Sequence, residues 1–157
     1  MNVKEKVLIH KGIDRVKQME YAEALAIFDS VLEMNPRIPE AWNNRGVALF
    51  RLGRAEEALE SYERSLSLDP TNLEAQRNKG FVLRSMGRLE EALKTYDIVV
   101  QEGGEALDLE AKAVVLAGMG RFEEALDCLY QARRISPIER FEEEIEMLKR
   151  RSGQGEE

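Results

Sequence analysis

The sequence predicts an all-α array of four short helical hairpins followed by one closing helix. Three observations carry that expectation. Landmark residues recur at a step of 34: Gly12, Gly46 and Gly80; Ala24, Ala58 and Ala92; Phe28, Tyr62 and Tyr96; Gly53 and Gly87; Pro36 and Pro70. Within each period the apolar residues recur at helical rather than strand spacing. Glycines and prolines fall between the periodic stretches, where they end helices. A fixed period of this kind marks a repeat architecture, in which each unit is buried against its neighbours.

The first unit spans about residues 5–38 and predicts helices over 5–18 and 21–34. The second, 39–72, predicts helices over 39–52 and 55–68: Ala41, Trp42, Val47, Ala48, Leu49 and Leu52 share a helical spacing, and Gly53 ends the run. Its second helix opens with Ala55-Glu56-Glu57-Ala58, acids in the first turn where the helix dipole favours them. The third unit, 73–105, repeats this with Glu90-Glu91 and predicts helices over 73–86 and 89–102. The fourth, 106–137, carries Glu123-Glu124 and predicts helices over 105–119 and 122–135. From Gly87 to Gly120 the step shortens to 33, which reads as a shortened turn at Gly103-Gly104. Ala24, Ala58, Ala92 and Ala125 are small where paired helices cross, and Gly12, Gly46 and Gly80 read as points of close backbone approach. Pro36, Pro70 and Pro137 stop second helices. Ser136-Pro137-Ile138-Glu139 then reads as a capping box that opens a helix over 138–151. Its stripe of Ile138, Phe141, Ile145 and Leu148 suits it to cover the last unit, with Glu142, Glu143, Glu146 and Lys149 on the other face. Residues 1–151 read as a single domain and 152–157 as a mobile tail.

These columns resemble the tetratricopeptide repeat. The unit from Pro39 to Asn72 places Trp42, Gly46, Leu49, Gly53, Ala58, Tyr62 and Pro70 at the family's landmark positions. Arg45 stands where the family favours leucine, and Leu49 where it favours tyrosine. Met19 replaces an inter-helix glycine, and the fourth unit has Ala113 and Leu129 for the small glycine and the aromatic. The resemblance covers roughly residues 5–137. It implies a right-handed superhelix whose first helices line a concave groove, and a role in protein–protein recognition.

Composition narrows the function further. The 157 residues carry a net charge of -7, which argues against a general nucleic-acid binder. One cysteine, Cys128, and one histidine, His10, cannot build a thiolate or imidazole zinc cage. No apolar run approaches the length of a membrane span, so a soluble, cytoplasmic protein with no membrane contact is expected. The sequence holds no Walker loop, His-Glu-x-x-His, calcium loop or Cys-x-x-Cys. No catalytic residue, cofactor or metal is therefore expected, and the chain does not read as an enzyme. Cys128 and Trp42 read as packing, and the acid runs as solvated faces.

What remains is the groove that the resemblance implies. Its columns hold Asn43, Asn44, Val47, Phe50 and Arg51 from the second unit and Arg77, Asn78, Phe81 and Arg84 from the third. The fourth supplies Leu107, Glu110, Ala111 and Val114. Asn44 and Asn78 share a column, and a side-chain amide both donates to and accepts from a peptide backbone. The pair resembles the asparagine ladder of some peptide-binding tetratricopeptide proteins. Arg51, Arg77 and Arg84 suit a carboxylate or phosphate. The five-residue clamp that holds a heat-shock chaperone's C-terminus is not supported: its columns read Ile9, Ile13, Asn44, Glu74 and Asn78. The expected partner is thus a protein or extended peptide. The alternative is a self-associating module, a homodimer in contact through Ile9, Ile13 and Val16 near the N-terminal end.

Overall fold

A computed structural model describes residues 1–153 of the chain. Among them are nine helices and no strand: α1 Val3–Lys17, α2 Tyr21–Met34, α3 Pro39–Arg51, α4 Ala55–Leu68, α5 Leu73–Ser85, α6 Leu89–Glu102, α7 Ala106–Gly118, α8 Phe122–Ile135 and α9 Glu139–Arg151. Each expected helix forms, with its ends within two residues of the expected ones. Of the tail, Ser152 and Gly153 form a turn after α9, and residues 154–157 lie outside the described residues. Packing divides the chain into two compact units, Met1–Val82 and Leu83–Glu157, with the division inside α5.

In the first unit α1 packs on α2, α2 on α3, and α3 on α4. The core between the first hairpin and the second is Ile9, Val31, Leu32, Ile38 and Ala41, with Leu8, Ile13 and Trp42 partly buried against it. Inside each hairpin the closing contact is a ring in a gap. A Cβ on Gly12 would lie 2.6 Å from Cε1 of Phe28, and one on Gly46 would lie 2.5 Å from Cε1 of Tyr62. These glycines therefore make room for an aromatic side chain, not for a neighbouring backbone as the sequence suggested. Both rings are buried, and burial pushes the Tyr62 hydroxyl far above the ordinary tyrosine range.

In the second unit α7 packs on α6 and α8, and α9 packs on α8. The fourth hairpin replaces the ring-in-gap contact with Ala113 and Leu129, both buried. The two departures from the family pattern stand at the positions that make one contact in each of the first two hairpins. A smaller side chain on α8 accompanies the extra methyl on α7. Phe141, Ile145 and Leu148 of α9 are buried, each burial worth about 1.5–3 kcal/mol. Ile138 does not join them: it is the N-cap residue and 40% exposed. The expected capping box is not formed either. Helix α9 opens at Glu139, so Ser136 and Pro137 lie before the cap, which has no side-chain hydrogen bond.

Helix ends explain most of the remaining architecture. α1 begins earlier than expected because Asn2 caps it: the Glu5 N–H donates to Asn2 Oδ1 at 2.9 Å, and the Asn2 N–H to Glu5 Oε2 at 2.8 Å. One turn joins the helices of each hairpin. The Arg54 N–H donates to the Leu49 carbonyl at 2.9 Å and the Gly53 N–H to that of Phe50 at 3.0 Å, with Gly53 left-handed at φ 78. The same pair of bonds recurs from Arg88 and Gly87 and from Arg121 and Gly120. In the three later hairpins the arginine of this turn reaches the glutamate three residues on: Arg54 to Glu57, Arg88 to Glu91, and Arg121 to Glu124. These guanidinium contacts hold the Glu57 and Glu124 carboxyls below the ordinary glutamate range. The first hairpin has Glu20 in the arginine column, and Arg15 pairs with it instead.

The first hairpin also puts Met19 where the others have glycine, at φ 62 with its side chain largely exposed. A left-handed backbone costs an L side chain roughly 1–2 kcal/mol, and nothing that Met19 buries offsets it. Met19→Gly is therefore expected to stabilise the chain by about 1 kcal/mol, read as a higher denaturation midpoint in urea. An unchanged or lower midpoint contradicts the strain argument.

Candidate functional site

The first-helix face of the first unit is built from α3 and the 73–82 stretch of α5. Asn43 is almost fully buried, and the Asn78 amide Nδ2 donates to its Oδ1 at 3.0 Å. Asn44, one residue on, is half-buried, and its Nδ2 donates to the Glu40 carbonyl of its own helix at 2.9 Å. The two asparagines that share a column thus hold different partners. Asn78 ties neighbouring first helices together, and Asn44 leaves one N–H and its carbonyl oxygen for other uses. Val47 is half-buried. Phe50 and Phe81 meet edge to face, ring centroids 5.6 Å apart and planes at 89°, with Phe81 44% exposed. Arg51 is exposed, and Arg77 is half-buried and already engaged. Arg84 belongs to the second unit and is likewise engaged.

The suggested self-association contact is only partly on the surface. Ile9 is 1% exposed, inside the core between the first two hairpins, and Ile13 and Val16 are half-buried. Ile9 is therefore withdrawn as a contact, because α2 and α3 already cover it. The apolar residues that α1 does expose are Val3 and Val7, next to Met1.

Several contacts between repeats were not read from the sequence. Arg45, noted there only as a departure, donates from Nε to Asp29 Oδ1 and from Nη1 to Ser61 Oγ, both at 2.7 Å. It also lies over the Trp42 ring, whose Nε1 donates to the Pro36 carbonyl at 2.8 Å. Glu63 with Lys79 at 3.8 Å, and Asp97 with Lys112 at 2.8 Å, occupy the same two columns. An acid on each of the first three second helices and a base about sixteen residues on was the available signal. Cys128 is buried, and desolvation raises its thiol above the ordinary range, the environment of a packing residue and not of a thiolate. Among the described residues no group of three His, Cys, Asp or Glu side chains could hold a metal, and no helix is long and apolar enough to cross a membrane.

Comparison with known proteins agrees with this geometry. Two tetratricopeptide repeat family models match, over residues 10–73 and 49–113. The chain belongs to the tetratricopeptide repeat family. No curated protein matches the sequence significantly. Among solved structures, MamA 41-end from Desulfovibrio magneticus RS-1 is similar at a TM-score of 0.90 and 20% identity, covering 99% of this chain and 89% of that one. A crystal structure of MamA protein is similar at 0.88 and 18% identity, covering 99% and 86%. A MamA MSR-1 structure is similar at 0.82 and 22% identity, covering 99% and 90%. At these identities the likeness is one of fold. Fold and family together define a protein-interaction or assembly module.

Proposed function

We propose that the chain is a non-catalytic recognition module that captures an extended segment of a partner protein on the first-helix face of α3 and α5. The observation that carries this reading is the Phe50–Phe81 pair. Phe81 is packed on a neighbouring ring and still 44% exposed, so a partner can bury it without first ordering it. Val47 continues the apolar strip, Asn44 offers amide groups to a peptide backbone, and exposed Arg51 suits an acidic residue on the partner. Asn78 serves the groove indirectly, by holding α5 to α3 through Asn43. In peptides selected from a random library against the full chain, Phe81→Ala is expected to weaken binding at least tenfold. Asn44→Ala should weaken it less and across all sequences, because it removes main-chain hydrogen bonds. Selected peptides whose affinity neither substitution changes would place recognition elsewhere.

Self-association is the second reading, and its support is the apolar end of α1. Val3 and Val7 are one helical turn apart, 78% and 60% exposed, beside Met1 at 58%. If this surface joins copies, Val7→Glu should lower the molar mass seen by light scattering. A wild-type chain that stays monomeric at high concentration removes this reading.

A further inference from the structure

The second unit contains a cleft that the first-helix face of the first unit does not explain. It has a volume of 470 Å3 and is walled by Ala113, Val114 and Ala117 of α7, Leu129 of α8, and Met147 and Leu148 of α9. Its origin lies in the fourth hairpin. Ala113 and Leu129 stand where other hairpins have glycine and a ring, and the smaller side chain leaves space beneath α9. Met147 and Val114 are 59% and 45% exposed at the cleft, so the apolar wall is open to a visitor.

At the edge of the cleft two carboxylates share one cation. Arg140 Nη2 donates to Glu110 Oε2 at 2.6 Å, and Arg140 Nε lies 3.7 Å from a Glu144 oxygen. The Glu110 and Glu144 side chains are only 17% and 28% exposed. Glu110 stands on α7 and Glu144 on α9, the helices on either side of α8 in the chain. Glu143 adds a further negative charge nearby, α8 contributes only Leu129 to the lining, and Arg151 at the far end lies over the Phe122 ring. The carboxylate end is therefore short of one positive charge. We propose that this cleft docks a partner-protein segment that presents a lysine or arginine beside an aliphatic residue. The aliphatic group enters between Leu129 and Met147, and the cation meets Glu144 and Glu110.

The charge deficit has a measurable consequence. Desolvation, and then the hydrogen bond and repulsion from Glu110, push Glu144 up to about 7, against the lowering effect of Arg140. Glu144 is thus neutral below that pH and ionised above it, and a cation binds the ionised form. Binding should release a proton, and affinity should rise about tenfold between pH 6 and pH 8 as the ionised fraction grows.

The experiment selects peptides from a random library on the full chain at pH 8 and follows the Met147 methyl by NMR with 13C-methyl methionine. The expected result is that peptides shifting Met147 carry Lys or Arg next to Leu, Ile or Val. Glu144→Gln, which mimics the protonated group and keeps its volume, should weaken them about tenfold and abolish the pH dependence. Phe81→Ala should leave them unchanged, which separates this site from the one proposed on α3 and α5. The proposal is overturned if no selected peptide shifts Met147, if those that do lack a basic residue, or if Glu144→Gln binds them as tightly as the wild type at pH 8. It is also overturned if n-hexylammonium alone shifts Met147 at the same concentrations, since the cleft would then be a small-amine site.

Discussion

The structure depends on one contact, an aromatic ring seated in the gap left by a missing side chain. Glycine inside a helix costs about 0.5–1 kcal/mol relative to alanine, so Gly12 and Gly46 weaken the helices that contain them. The rings of Phe28 and Tyr62 more than offset this, because burying such a side chain contributes roughly 1.5–3 kcal/mol. The contact also fixes how far apart the two helices of a hairpin stand. That distance sets where the next first helix can stack, and with it the register of Asn43 against Asn78 and of Phe50 against Phe81. Where the contact shrinks, at Ala113 and Leu129, a cleft appears.

Polar groups then choose among the ways hairpins could stack. Asp29 with Arg45, Glu63 with Lys79 and Asp97 with Lys112 join a second helix to the following first helix. Such part-exposed pairs add little stability on their own. Their worth is in register, because slipping one helix by a turn would separate each acid from its base. The buried Asn43 adds a stronger constraint, since its carbonyl would be left unsatisfied without the Asn78 amide.

Much of this was legible in the sequence. The 34-residue step set the hairpins, and Gly53, Gly87 and Gly120 marked their turns. Periodicity gave the faces but not the partners across them. Gly46 and Tyr62 were both visible as columns, but their contact joins two columns sixteen residues apart, and only folding reveals it. Asn44 and Asn78 looked equivalent because they share a column, yet the bond runs from Asn78 to Asn43, one residue over. Stacked helices are rotated relative to each other, so equal repeat positions need not face each other. Glu144 stood in an acidic run that read as a solvated face, and its pairing with Glu110 follows only once α9 is laid against the fourth hairpin. Ile9 looked like free surface because the sequence does not show that the second hairpin reaches back to cover it.

The most direct test is a double-mutant cycle on the second hairpin, with stability measured by urea denaturation. Gly46→Ala places a methyl 2.5 Å from the Tyr62 ring, and such overpacking costs about 1–3 kcal/mol, offset in part by alanine's better helix propensity. Tyr62→Leu loses ring burial but opens the gap that the methyl needs. If the ring-in-gap contact governs the hairpin, Gly46→Ala should be much less harmful, or even stabilising, in the Tyr62→Leu background, with a coupling of at least about 1 kcal/mol. The double variant would then reproduce the Ala113–Leu129 pairing of the fourth hairpin. Effects that simply add, to within about 0.5 kcal/mol, would contradict the account.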